Sequence, residues 1–214
     1  AIGRDLPQPA EDDEIAERVP NRGNTKIVTR NGDPTDLNDL GIMSLQTSRS
    51  VIVLSPGDED CGDPDSNVIK SVWAIVKDPQ RRPEVYNIAA EIRENKNVEL
   101  ARTVCGEGLQ VVLADDTLAR LLVQSARQAG LSHVYTELLD FEGGEIYTVD
   151  QAALVGKTFD FAVMAYEKCT PIGLCNAAGV VRLHPTGDTL IQPGDRLILI
   201  AEDDSLIHSD PVSY

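Results

Sequence analysis

A cluster of acidic side chains lies in one loop of the sequence, residues 55–65, directly after the apolar run at 51–54. The cluster consists of Asp58, Glu59, Asp60, Asp63 and Asp65. Ca²⁺ takes about 6 to 8 oxygen ligands, and carboxylates spaced along a flexible loop can supply them. The spacing differs from that of an EF-hand, so the loop is a candidate Ca²⁺ site of another kind.

Glu91 adds a further carboxylate at the end of the strand predicted after this loop. Neighbouring parallel strands lie about 4.8 Å apart, so their ends come within about 5 to 10 Å of each other. Open α/β sheets bind ligands at this carboxyl edge. Clustered carboxylates also repel one another, and a cation would relieve that repulsion. We therefore predict a divalent cation between the loop and Glu91, with Asp58, Asp60, Asp63 and Glu91 as ligands.

Simpler roles exist for the same acidic residues. Asp63 and Asp65 precede a predicted helix, where an acid interacts favourably with the positive end of the helix dipole. Glu91 could be a surface residue paired with Arg93 or Lys96. These alternatives require no ligand.

Strands alternate with amphipathic helices in the elements that must position these residues. The predicted strands are 26–29, 49–55, 86–91 and 109–113; the predicted helices begin after Asp36 and cover 66–77, 97–105 and 117–129. Such alternation predicts a parallel sheet with right-handed crossovers. The strand at 51–54 and the helix at 66–77 are expected to be buried, the helix through a stripe formed by Val68, Ile69, Val72, Trp73 and Val76.

The last third of the chain predicts a smaller α+β unit. A helix at 157–167 precedes strands at 170–174 and 179–183 and a final strand at 196–201. The unbroken apolar run 197–200 indicates a strand that is buried on both faces or lies at an interface. We therefore divide the chain into a partial Rossmann-like lobe (1–130), a connector (131–142) and a C-terminal lobe (143–214).

Composition excludes several classes of function. The net charge of -16 and the 4% aromatic content argue against nucleic-acid binding, which needs clustered cations or stacking surfaces. Cys61, Cys105, Cys169 and Cys175 show no C-x-x-C spacing, so we expect reduced, mostly buried thiols and no zinc site. No apolar run reaches membrane-spanning length, and a soluble domain is expected.

Several stretches resemble a known family when they are taken in order. They are N-G-D-P-T-D (31–36), V-L-A-D-D-T-L-A-R-L-L-V-Q (112–124), E-L-L-D-F-E-G-G-E-I-Y (137–147), G-K-T-F (156–159), P-I-G-L (171–174) and I-Q-P-G-D-R-L-I-L-I-A-E-D-D (191–204). Together they resemble the RCK/TrkA-type regulatory domains of potassium channels and transporters, in the variant found in CASTOR/POLLUX-like ion channels.

The resemblance implies a cytoplasmic ligand-sensing domain that couples ligand binding and subunit rearrangement to a cation-conducting pore. It implies no enzymatic activity. Family members form dimers within a gating ring, attached to a membrane pore domain of the same or a partner chain. The apolar helix at 118–126 and the strand at 197–200 are the candidate interfaces here.

The resemblance also implies ligands. Gly32 and Asp33 match the turn that lies beside the adenine in nucleotide-binding members, although the same turn could simply cap a helix. Glu91 matches a ligand of the Ca²⁺-gated members, whereas the partner carboxylate of that site aligns with Leu54. The bound ligand is therefore expected to be Ca²⁺ or a nucleotide.

The chain departs from the family at its beginning, because no G-x-G-x-x-G turn and no first strands are visible. We expect the resulting sheet edge to be covered by another chain or by residues 1–25, or to stay exposed. Two other classes remain: a regulatory nucleotide-binding subunit of a Trk/Ktr-like potassium transporter, and a fragment of a nucleotide-dependent oxidoreductase. The oxidoreductase would need the missing glycine-rich turn and a catalytic acid or base.

Overall fold

The computed structural model describes residues 2–3, 17, 23–57, 62–106, 108–140, 143–203 and 205–208. The chain forms two compact units, Ala1–Arg120 and Leu121–Tyr214. The lobe limits at 130 and 142 stay a prediction.

The first unit contains parallel strands in two sheets. Strands β1 (Ile2–Gly3) and β2 (Arg30–Asn31) form a two-stranded sheet. Strands β3 (Val51–Val53), β4 (Ile88–Ile92) and β5 (Leu109–Leu113) form a three-stranded sheet in that order. The predicted strand at 109–113 is confirmed. The strand predicted at 26–29 is wrong, because those residues form no strand and β2 begins just after them, at Arg30.

Helices connect these strands. They are α1 (Leu37–Gly41) before β3, α2 (Pro64–Lys77) between β3 and β4, α3 (Val98–Cys105) between β4 and β5, and α4 (Ala114–Arg127) after β5. This alternation confirms the predicted Rossmann-like parallel lobe.

One face of the three-stranded sheet carries the core of this unit. Side chains alternate between the two faces of a strand, so Ile88, Ala90 and Ile92 point the same way, and all three are buried. They pack with the buried faces of α2 and α3. The predicted apolar face of α2 is wrong at Trp73, which is 50% exposed. The buried face of the helix includes Ile75 in place of Trp73.

The second unit is built on an antiparallel sheet of order β6–β9–β7–β8. Its strands are β6 (Glu145–Asp150), β7 (Thr170–Cys175), β8 (Val181–Leu183) and β9 (Arg196–Ala201). Its helices are α5 (Leu131–Leu139), α6 (Phe159–Ala165) and α7 (Ser205–His208). The predicted α+β lobe is therefore confirmed, and the predicted connector contains helix α5.

Strand β9 lies in the middle of this sheet, paired with β6 and β7. Leu197, Ile198 and Leu199 are all buried, which confirms the predicted burial on both faces. The suggestion that 197–200 forms a subunit interface is wrong for these three residues, because the strand is enclosed by its own sheet and core.

The described cysteines, Cys105, Cys169 and Cys175, are buried free thiols, as predicted. Burial raises the pKa of the thiols of Cys105 and Cys169, which keeps them protonated and unreactive. Cys61 lies outside the described residues.

Candidate functional site

The carboxyl ends of β3 and β4 are joined by the side chain of Glu91. Its Oε2 accepts a hydrogen bond of 2.9 Å from the backbone N–H of Ser55, which begins the acidic loop. Glu91 is partly buried, so this bond is shielded from water on one side. The geometry thus brings Glu91 to the start of the loop, as the expected sheet edge requires.

The two cations near Glu91 have other partners. Arg93 Nη2 donates to the carbonyl oxygen of Pro56 at 2.9 Å. Lys96 forms its ion pair with Glu94. The alternative in which Glu91 is a surface partner of Arg93 or Lys96 is therefore wrong. Arg93 instead ties the segment after β4 to the segment after β3.

Asp63 caps helix α2. Its Oδ2 accepts hydrogen bonds from the backbone N–H of Ser66, at 3.3 Å, and from the Ser66 hydroxyl. Pro64 follows at the first helical position, where its missing N–H costs nothing. The capping role proposed for Asp63 is confirmed, while its role as a cation ligand stays a prediction.

Asp65 has a different role that the sequence reading did not identify. It is only 2% exposed, and its carboxylate accepts three hydrogen bonds, from Arg93 N (2.8 Å), Glu94 N (3.0 Å) and Asn97 Nδ2 (2.7 Å). Burial alone would raise the pKa of Asp65, but these bonds and the charge of Arg93 lower it below the ordinary value. The result is a buried, ionised anchor for the segment that follows β4.

Helical spacing carried a signal for this buried acid. Asp65 lies three residues before Val68 and seven before Val72, both of which are buried. Residues at these spacings share one face of a helix. A carboxylate on the apolar face of a helix needs hydrogen-bond donors within the protein. Asp65 lies on that face and Asp63 does not, so the spacing distinguishes the two acids.

The remaining predicted cation ligands, Asp58 and Asp60, lie outside the described residues, as does Glu59. Among the residues that the structure describes, no group of three or more His, Cys, Asp or Glu side chains is placed to hold a metal ion. The set of Asp58, Asp60, Asp63 and Glu91 stays a prediction.

The Gly32–Asp33 turn leads into helix α1. Asp33 Oδ1 accepts hydrogen bonds from Thr35 N (2.9 Å) and Thr35 Oγ1 (2.7 Å), and Asp33 N donates to Asp39 Oδ2 (2.8 Å). Asp36 caps the helix by accepting from Asn38 N. A Cβ atom at Gly32 would lie 3.0 Å from Asp39 Cβ, so a larger residue there would require the Asp39 side chain to shift. These contacts account for the motif as a helix-capping turn; nucleotide binding there stays a prediction.

Helix α4 displays an apolar surface. Leu118, Leu122 and Val123 are each more than half exposed, and none of the residues of this helix is buried. Arg120 pairs with Asp116 one turn earlier, at 2.8 Å. An amphipathic helix with its apolar face in water is a candidate contact surface.

The fold has a counterpart among solved structures. It is similar to the human SLO3 gating ring, with a TM-score of 0.55 and 15% identity over 84% of this chain and 37% of that one. The sequence model of the family "Castor and Pollux, part of voltage-gated ion channel" matches residues 115–213. The chain is similar to the Castor and Pollux family of ion channels, as the motifs predicted.

Two relatives show the extent of the match. The probable ion channel POLLUX of Oryza sativa subsp. japonica is 31% identical over 84% of this chain, and the ion channel CASTOR of Lotus japonicus is 30% identical over 88%. The chain spans about a fifth of the length of each, 18% and 22% respectively. No helix in the described ranges is long and apolar enough to cross a membrane.

Proposed function

We propose that this chain is a ligand-sensing regulatory domain of a cation channel, located on the cytoplasmic side of the membrane. It couples ligand binding and subunit rearrangement to ion conduction and performs no catalysis. The main support is the identity of 30 to 31% with ion channels over most of the chain. A ligand shifts the equilibrium between two conformations of such a domain only if it binds them with different affinities. The position of the ligand site therefore determines which conformation the ligand favours.

The ligand in this proposal is Ca²⁺, bound at the carboxyl ends of β3 and β4. Glu91 uses Oε2 for Ser55, while its Oε1 accepts no hydrogen bond from the described residues. Asp63 likewise uses one carboxylate oxygen for the helix cap. Each side chain therefore retains one oxygen for a cation, and Asp58 and Asp60 supply further oxygens from the loop.

A melting experiment tests this site. Ca²⁺ should raise the melting temperature of the chain by about 5 °C at a concentration about 100 times its Kd, because it binds only the folded state. NaCl at equal ionic strength should raise it far less. The double variant Asp60→Asn with Glu91→Gln should lose the response to Ca²⁺, since neutral amides bind the ion weakly while the Glu91→Gln amide oxygen still accepts from Ser55.

The control is a second double variant with the same change in charge, Glu99→Gln with Asp188→Asn, at two exposed positions outside the loop. It should keep the full response to Ca²⁺. Equal responses in the wild type and in both double variants would mean that Ca²⁺ only screens the net negative charge, and the site would then be rejected.

Assembly with other copies is the second part of the proposal. The exposed apolar residues of α4 support a homo-oligomer, a dimer within a gating ring, which acts on a pore domain of the same or a partner chain. A nucleotide at Gly32 and Asp33 is the other ligand that the family implies. Titration calorimetry with ATP, with ADP and with Ca²⁺ shows which of these ligands the chain binds.

A further inference from the structure

The two edges of the three-stranded sheet differ in their surroundings. At the β3 edge, Ile52 and Leu54 are each 71% exposed, so the expectation that 51–54 is a buried strand is wrong for the part of the chain described here. At the β5 edge, helix α3 forms one wall and helix α4 the other wall of a groove of about 740 Å³. Small-molecule sites have volumes of about 300 to 1,000 Å³, so this groove has the size of a ligand site.

The groove lies at the carboxyl end of the sheet and has an apolar floor. Asn95 follows β4, Thr117 follows β5, and both line the groove. Open α/β sheets bind ligands along this edge. The floor consists of Val98, which is buried, and of Val111 and Leu113, which are half-buried. An apolar group of a ligand could therefore be shielded from water there.

Strand β5 presents unpaired backbone groups at its outer edge. The N–H of Ile88 in β4 donates to Gly108 O at 3.0 Å, so the backbone groups of Gly108 point toward β4. These groups alternate in direction along a strand, so those of Val111 point away from β4. None of the described strands pairs with β5 on that side. Val111 therefore offers one N–H donor and one C=O acceptor where the strand borders the groove.

The two walls carry opposite charges. On the α3 wall, the guanidinium of Arg102 has neither a hydrogen bond nor an ion pair with any residue that the structure describes. On the α4 wall, Asp116 Oδ2 pairs with Arg120 Nη2 at 2.8 Å, and its Oδ1 accepts no hydrogen bond from the described residues. Because Arg120 is already paired, the groove suits a ligand with one negative and one positive group better than a phosphate.

We propose that this groove binds a free α-amino acid with an apolar side chain. The carboxylate of the amino acid accepts from Arg102 and from the N–H of Val111, and its ammonium group donates to the C=O of Val111 and to Asp116. The two charged groups of an α-amino acid are attached to one carbon, like the N–H and C=O of a residue that exchanges both bonds with a partner in an antiparallel pair. The apolar side chain then packs on Val98 and Leu113.

This site is independent of the proposed regulatory role and of the proposed Ca²⁺ site, since it uses only residues of the groove. Titration calorimetry of the 214-residue chain with L-leucine, L-valine, L-methionine and L-phenylalanine tests it. At least one of these should bind with a Kd below about 1 mM. Glycine should bind at least about tenfold more weakly than the tightest of them, because it buries no apolar side chain. Absence of binding by all four, or equal binding by glycine, would overturn the proposal.

Analogues of the tightest amino acid test each charge separately. For L-leucine these are isocaproate, which lacks the ammonium group, and leucinamide, which lacks the carboxylate. Each should bind at least about tenfold more weakly, because one charged side chain of the groove then loses its partner. The zwitterion ε-aminocaproate should bind as weakly, since its two charges are too far apart for the two groups of Val111. Equal affinity for L-leucine and ε-aminocaproate would overturn the α-amino acid assignment.

A pair of variants locates the site. Arg102→Gln should weaken binding of the tightest amino acid at least about tenfold, and the fold should be retained because Arg102 is exposed. The matched control is Arg49→Gln, the same change at an exposed position outside the groove, and it should leave the affinity unchanged. Equal losses in both variants, or a loss in neither, would overturn the proposal.

An uncharged peptide unit separates a free amino acid from an extended chain. N-acetyl-L-leucine methylamide keeps the backbone donor and acceptor of a strand residue but carries neither charge. It should bind at least about tenfold more weakly than L-leucine if Arg102 and Asp116 recognise the charged groups. Tighter binding of this compound would show that the edge of β5 accepts a peptide strand, and would overturn the proposal.

Discussion

The carboxylate of Asp65 joins the first turn of α2 to the segment after β4 through bonds to Arg93, Glu94 and Asn97. Two of these donors are the backbone N–H groups of Arg93 and Glu94. The acid therefore fixes the conformation of the segment that begins right after Glu91. At the scale of single residues, this buried charge holds the candidate site in shape.

Asp65→Asn should destabilise the chain by about 1 to 3 kcal/mol, because the amide replaces one acceptor oxygen with a donor that faces other donors. Urea unfolding measures the change. The matched control is Asp63→Asn, since asparagine is as good a helix cap as aspartate, and its effect should stay below about 0.5 kcal/mol. Equal losses for the two variants would contradict the anchor role of Asp65.

Acid should weaken the same anchor. The pKa of Asp65 lies below its ordinary value of 3.8, so ionisation stabilises the folded state at higher pH, and this stabilisation is lost as the pH falls through the folded-state pKa. The free energy of unfolding of the wild type should therefore fall more steeply than that of Asp65→Asn below pH 3.8. Urea titrations from neutral pH downward measure both slopes, and parallel curves would contradict the assignment.

At the scale of elements, helix α4 exposes apolar side chains. Leu122 is 62% exposed, so replacing it changes a surface and not the core. Leu122→Asp should weaken self-association at least about tenfold if α4 is the subunit contact, because a charge would be buried there. Sedimentation at several concentrations measures this, with circular dichroism to check the fold.

Gln124→Asp introduces the same residue type two positions away on α4 and serves as the control. It should leave self-association unchanged if the apolar face of the helix forms the contact. A wild-type chain that stays monomeric at high micromolar concentration would contradict the role of α4 directly.

Elements with a continuous local signal were predictable from the sequence. The bounds of β5 and β9 follow from apolar runs closed by turn or charged residues, and they match the structure. Strand β3 has an equally apolar run, but it lies at an edge, and whether a strand is central or at an edge depends on its neighbours. Asp65 was missed for a similar reason, since its donors come from a distant segment of the chain.

At the scale of the whole molecule, the proposed regulatory role predicts that the chain catalyses no reaction. We expect no saturable turnover of nicotinamide or nucleotide substrates, because the chain contains no glycine-rich phosphate turn. Absorbance assays with NADH and phosphate-release assays with ATP provide the measurement. Turnover that survives further purification and is lost on Asp33→Asn would contradict this and favour an enzyme.

The bonds around the acidic loop also have an entropic consequence. Glu91 and Arg93 hold the loop at Ser55 and Pro56, and Asp63 and Asp65 hold its other end at the start of α2. Folding therefore already restricts the ends of the loop, so a bound ion would not have to supply the conformational entropy of loop closure. The affinity of a ligand in the loop would then depend only weakly on loop length, since doubling the length of a flexible loop costs about 0.6 kcal/mol. Loosening either anchor would weaken binding more than lengthening the stretch between them.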